Sequence, residues 1–177
     1  MKALLTKITD MDKGLALLVE WPQHEAALGL IAQLALRQPV RVVVGGNRFQ
    51  AHTLARHIRR HTVHLEAVLG RIQVARPLTC YQTVSLFAQM AAAPEPLLIL
   101  DLLQTFADEN ISSLESYRLL YLVVDHLHRL RRAAPVIVTL KPPPQPERAG
   151  LVTILKALAD VVLLSTPPTP LTPLKLF

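Results

Sequence analysis

Six short apolar runs punctuate this chain, and a longer amphipathic stretch separates each from the next; no other feature restricts the fold as much. The runs are LALLVE at 15–20, VRVVVGG at 40–46, RIQVA at 71–75, PLLILD at 96–101, PVIVTLK at 135–141 and DVVLLS at 160–165. Most are β-branched or leucine-rich over four to six positions, the pattern of strands buried on both faces. The stretches between them, roughly 24–37, 50–61, 80–92, 112–133 and 149–158, predict helices. In the fourth, Ser112 and Glu115 have capping-box spacing, and Leu120, Val123, Leu127 and Leu130 recur three or four apart. Parallel neighbours need crossover helices, so this alternation demands an α/β fold: a mostly parallel sheet with helices on both faces.

Proline marks the breaks. Pro142, Pro143, Pro144 and Pro146 form one cluster, and Pro167, Pro168, Pro170 and Pro173 another. Neither can be helix or central strand, because proline lacks the N–H and fixes φ. The first predicts a stiff loop. The second predicts an extended tail over 166–177, ending in LKLF after a single domain over 1–165. With 51% hydrophobic residues the domain has enough apolar surface to offset the entropy of folding, which excludes disorder for most of the chain. One cysteine, Cys80, excludes a disulfide framework or a multi-cysteine metal site. The segment MKALLTKITDMDKG lacks the apolar core of a signal peptide, and no run approaches the roughly 18 residues of a membrane span. The expectation is a cytoplasmic protein with no membrane partner.

In open parallel sheets ligands sit beyond the carboxyl ends of the strands. After the first run stands Trp21-Pro22-Gln23-His24-Glu25-Ala26-Ala27-Leu28. A phosphate-binding loop would place GxxxxGK[ST] there, with glycines that let N–H groups close on the phosphates and a lysine that neutralises them. Glycine, lysine and magnesium-binding hydroxyl are all missing, and Glu25 repels polyphosphate. The helix start retains free N–H groups for weak anion binding. After the fourth run comes Asp101, which has the form of a Walker B acid holding the water shell of magnesium, or of a carboxylate closing a loop. After the second, Gly45 and Gly46 permit positive φ and a sharp exit, to admit a ligand or simply to turn the chain.

These residues resemble a family, the RecA-type recombinases, and especially their archaeal and eukaryotic RadA-like branch. VRVVVGGNRFQAHTLARHIRRH looks like that branch's second core strand and helix, with Phe49 at the family's phenylalanine. RIQVARPLTCYQTVSLFAQM is similar to the next strand and helix, with Arg76 and Gln82 in matching places. LLILDLLQTFADEN resembles the Walker B strand and its exit, APVIVTLKP the strand leading to the mobile DNA-binding loop, and Leu158-Ala159-Asp160 the approach to the following strand. The likeness runs from about Gly14 to Ser165 in the family's order. It implies a three-layer RecA-like P-loop NTPase fold. It also marks departures: WPQHEAAL replaces the phosphate loop, and the catalytic glutamate's place falls at or beside Gly46. Phosphate cradle, neutralising lysine and water-activating carboxylate are missing together, and only a vestigial Asp101 remains. The resemblance thus implies a non-catalytic paralogue with no cofactor, neither ATP nor magnesium, that serves DNA recombination or repair.

Of three basic regions, two are candidates for contact with DNA. Arg56, Arg59 and Arg60 lie on the helix after the second strand. There His57 and His61 are spaced i and i+4, with His52 and His64 near, an arrangement that suits a solvated face better than a metal. His126 to Arg132 end the long helix, where cations complement its dipole. The loop 141–150, at the family's single-strand contact, carries Lys141 and Arg148 but no aromatic to stack on bases. The net charge of +6 suits a phosphate-bearing partner, and an arginine-rich genome produces the same excess. Cys80, at a helix start, reads as a packed thiol.

Three functions compete. One is an accessory recombination factor that binds single-stranded DNA weakly and associates with a recombinase or with itself. Another is a pure interaction scaffold, docking through the tail or an exposed sheet edge. The last is an atypical ATPase with a metal held by Asp101 and either Glu20 or Asp108.

Overall fold

The computed structural model describes residues 11–19, 24–46, 49–108 and 110–164; the expected tail over 166–177, Glu20 and residues 21–23 of the segment after the first run lie outside them. Six strands form: β1 (Gly14–Val19), β2 (Val40–Val44), β3 (Ile72–Ala75), β4 (Leu97–Leu100), β5 (Pro135–Leu140) and β6 (Val161–Leu164). All pair in parallel, in the order β3-β2-β4-β5-β1-β6. The helices are α1 (His24–Ala35), α2 (Ala51–Arg59), α3 (Leu65–Leu69), α4 (Cys80–Gln89), α5 (Ser113–Leu130) and α6 (Gly150–Leu158). Every expected strand and helix is present. The short α3 and two 3-10 turns, Leu102–Phe106 and Pro146–Arg148, were not foreseen.

Alternation along the strands sorts the core into two layers. Leu15, Leu17 and Val19 of β1 face α4, α5 and α6, whereas Ala16 and Leu18 face α1 and α2. Similarly Leu97 and Ile99 point to the first layer, Leu98 and Leu100 to the second. Connections running toward β3 therefore carry their helices on one face, and those running toward β6 on the other, as a uniform crossover hand requires. The result is three layers, helix on sheet on helix.

Burial on both faces holds for the four inner strands. The edge strands differ, because each pairs on one side only: Val74 of β3 is 48% exposed and Leu164 of β6 is 63% exposed. Helix starts follow the local chemistry. The Ser112 hydroxyl accepts from Glu115 N–H at 3.2 Å, while the Glu115 carboxylate turns instead to Arg118 at 2.7 Å. Thr79 caps α4 in the same way, and Gln82, a position of the family resemblance, accepts from Leu78 N–H at 2.7 Å, so local capping accounts for it. No helix among the described residues is long and apolar enough to cross a membrane.

Candidate functional site

This strand order creates three crevices where neighbouring strands send their connections to opposite faces: one between β2 and β4, the others between β3 and β2 and between β5 and β1. The first unites two features of the sequence, Gly45-Gly46 and Asp101. It is closed. Gly45 N–H donates to Leu100 O at 2.8 Å, extending the β2–β4 ladder past the strand end. Asp101 then turns back in the left-handed region, φ 53° and ψ 47°, its N–H donating to Thr139 Oγ1 at 3.0 Å. It is the sole non-glycine with positive φ among the described residues, and aspartate is one of the few types that tolerates this conformation.

The glycines are needed for this approach. A Cβ on Gly45 would lie 2.6 Å from Asp101 O, and one on Gly46 3.1 Å from the Asp101 carboxylate. Neither glycine has positive φ, so the sharp-turn reading is corrected: what β4 demands of β2 is missing side-chain volume. Asp101 thus packs over Gly46.

Beyond β5, Lys141 is exposed and shares a cleft of only about 40 Å³ with Asp101, Gln104 and Pro142 to Pro144. Arg148, the second loop candidate for DNA, is buried instead. Its guanidinium donates to the carbonyls of Phe106 (2.8 Å), Asp108 (2.8 Å) and Ile111 (2.5 Å). The loop is thereby pinned to the chain that leaves β4, with Gln145 bonded to Ala107 O beside it at 3.0 Å. A cation spent on three carbonyls is not available to phosphate, and Arg148 is withdrawn as a DNA contact.

The remaining sequence candidates separate. Arg56 pairs with Glu25 at 3.1 Å, so the acid that replaces the phosphate loop is itself neutralised from α2. His57 lies against Gly29 with Nε2 3.6 Å from the same carboxylate; burial above all, and then the nearby Arg60 and Arg56, hold its pKa below the ordinary histidine value. Helix α2 ends at Arg59, which breaks the helical spacing of His57 and His61. No group of three metal-ligating side chains gathers among the described residues. Cys80 is buried, and that burial raises its pKa, the state of a packed thiol. At the end of α5, Arg129 donates to Phe87 O and Met90 O, and Arg131 to Leu158 O and the Asp160 carboxylate, so both tie elements together.

A mostly apolar concavity lies elsewhere, over β2 and β3. An open groove of about 710 Å³ runs between β2 and β3, the C-terminal half of α4 and the 91–95 linker, with Gln73, Val74, Ala75, Leu86, Met90 and Glu95 on its walls. Arg41 braces it by donating to Ala91 O at 2.7 Å and to Glu95 O at 3.1 Å. The sequence reading missed this groove. Its signal was present in RIQVA, whose four-residue strand is short and flanked by the charges of Arg71 and Arg76, as edge strands are.

No protein-family model matches this chain, and no curated protein matches it.

Proposed function

We propose that this chain is a non-catalytic protein of RecA-like architecture that works by association, taking an extended segment of another subunit along the free edge of β3. A groove of peptide size beside an unpaired strand edge carries this reading. Edge backbone groups recruit a strand by hydrogen bonds, and the adjoining apolar wall selects its side chains. The segment best suited to it is the C-terminal LTPLKLF of a second copy: its leucines match Leu86 and Met90, and Lys175 complements Glu95. Recombinase subunits join through short linear segments of this kind, and the family resemblance suggests a role in DNA recombination or repair. The segment after β1, which has neither the glycines nor the lysine of a phosphate cradle, disfavours the ATPase alternative.

Sedimentation velocity over a range of concentrations tests the proposal. Full-length chain should self-associate, and deletion of 166–177 or a Val74→Lys charge on the edge should each leave monomer with an unchanged circular dichroism spectrum. A chain that stays monomeric throughout, or one whose association survives both changes, refutes it.

A further inference from the structure

The positive charge of this protein is segregated. Between Glu25 and Glu66 there is no acidic residue, while the same stretch holds six of the nineteen basic residues: Arg37, Arg41, Arg48, Arg56, Arg59 and Arg60. The rest of the chain balances at thirteen of each sign, so the whole net charge of +6 resides in this one stretch. Arginine-rich composition alone would spread an excess along the chain. A helix dipole accounts for cations in the last turn of α2, but not for forty residues without an acid across α1, β2 and α2.

The structure shows which of these charges are free. Arg41 is spent on carbonyls at the opposite face, and Arg56 is shared with Glu25. The side chains of Arg59 and Arg60 are exposed and have no hydrogen bond or ion pair among the described residues. They continue into exposed His61 and His64, and an open groove of about 730 Å³ runs between α2 and α3, lined by Arg59, Thr62, His64 and Glu66. The crowding of Arg56, Arg60 and His61 is felt at His57, whose protonation all three oppose.

We infer that the surface formed by the end of α2 and by α3 binds the phosphate backbone of nucleic acid without reading its sequence, Arg59 and Arg60 being the principal contacts. Guanidinium groups suit phosphate oxygens bidentately. The patch has no Phe, Tyr or Trp, the side chains that stack most strongly on bases, which favours the backbone as the ligand. A lipid surface fits less well: interfacial helices lay an apolar face into the membrane, and here Leu54 and Ile58 of α2 are buried against the sheet, with Val63 alone exposed between α2 and α3. The inference is independent of the docking groove, which lies against the opposite helix layer.

The test is fluorescence anisotropy of a labelled oligo-dT strand with the full chain, titrated at several salt concentrations. Binding should weaken linearly in log–log form, and the Arg59→Ala/Arg60→Ala double variant should flatten the slope by about 1.4, two phosphate contacts at about 0.7 each. Lys141→Ala and deletion of 166–177 should leave the slope unchanged, which separates failure of this inference from failure of the docking proposal. Absence of binding at low salt overturns the inference. So does a slope unmoved in a double variant that is folded by circular dichroism, or tighter binding to phosphatidylserine vesicles that the double variant abolishes.

Discussion

Replacing Gly45 by alanine should destabilise this protein, although glycine to alanine at negative φ ordinarily does the reverse. The new methyl carbon would stand 2.6 Å from the carbonyl oxygen of Asp101. Comfortable carbon–oxygen contacts begin near about 3.3 Å, so the ends of β2 and β4 must part by roughly 0.7 Å. The obstacle is backbone held by the Gly45–Leu100 and Asp101–Thr139 hydrogen bonds, not a side chain that can swing aside. Overpacking of this kind costs about 1–3 kcal/mol, and the lost chain entropy of the unfolded state returns about 0.4–1 kcal/mol. A net loss of about 1–2 kcal/mol should lower Tm by about 3–6 °C for a chain of this size. Gly46→Ala meets only the Asp101 side chain, at 3.1 Å, and should cost less. Combining it with Asp101→Gly should recover that cost, a coupling that a double-mutant cycle reads directly. Differential scanning fluorimetry with urea titration suffices. A Gly45→Ala protein as stable as the parent, or a Gly46/Asp101 pair that adds without coupling, would refute a closed crevice.

Three further outcomes follow from the same geometry. Arg148→Met should lose about 3 kcal/mol in urea unfolding, because three carbonyls lose a buried charged donor; a loss under about 0.5 kcal/mol would contradict its structural role. His57 has a folded pKa below its unfolded value of 6.5, so the unfolded chain binds the proton more readily: its contribution is absent at pH 7.5 and becomes destabilising as pH falls below about 6.5. His57→Gln should therefore flatten the fall in Tm between pH 7 and pH 5, and an equal fall in both proteins would count against the burial argument. Titration of a fluorescent ATP analogue with magnesium should give no saturable signal, and micromolar binding lost in Asp101→Asn would restore the ATPase alternative.

The layered α/β architecture was legible because its cause is local and periodic. Continuous apolar runs such as LLIL and VIV have to be buried on both faces, and the crossover helices between them follow from parallel pairing. The edges were not legible, since VVLL of β6 reads like any inner strand; only strand order exposes Val162 and Leu164. Arg148 looked like a loop cation because sequence does not show that three carbonyls after β4 need a donor from forty residues away. Gly45 and Gly46 were recognised as special for the wrong reason, conformation in place of volume, because the neighbour that crowds them is distant in sequence. That WPQHEAAL lacks the glycines and the lysine of a phosphate loop, by contrast, needs only residue types.

The central claim, that this protein acts by accepting a strand at β3, is tested most directly by hydrogen exchange of the Ile72–Ala75 amides as protein concentration is raised. Strand addition predicts growing protection at β3, reversed by deletion of 166–177, with the amides of β6 unchanged. Protection that stays constant at β3, or that develops at Val161–Leu164 instead, would contradict it.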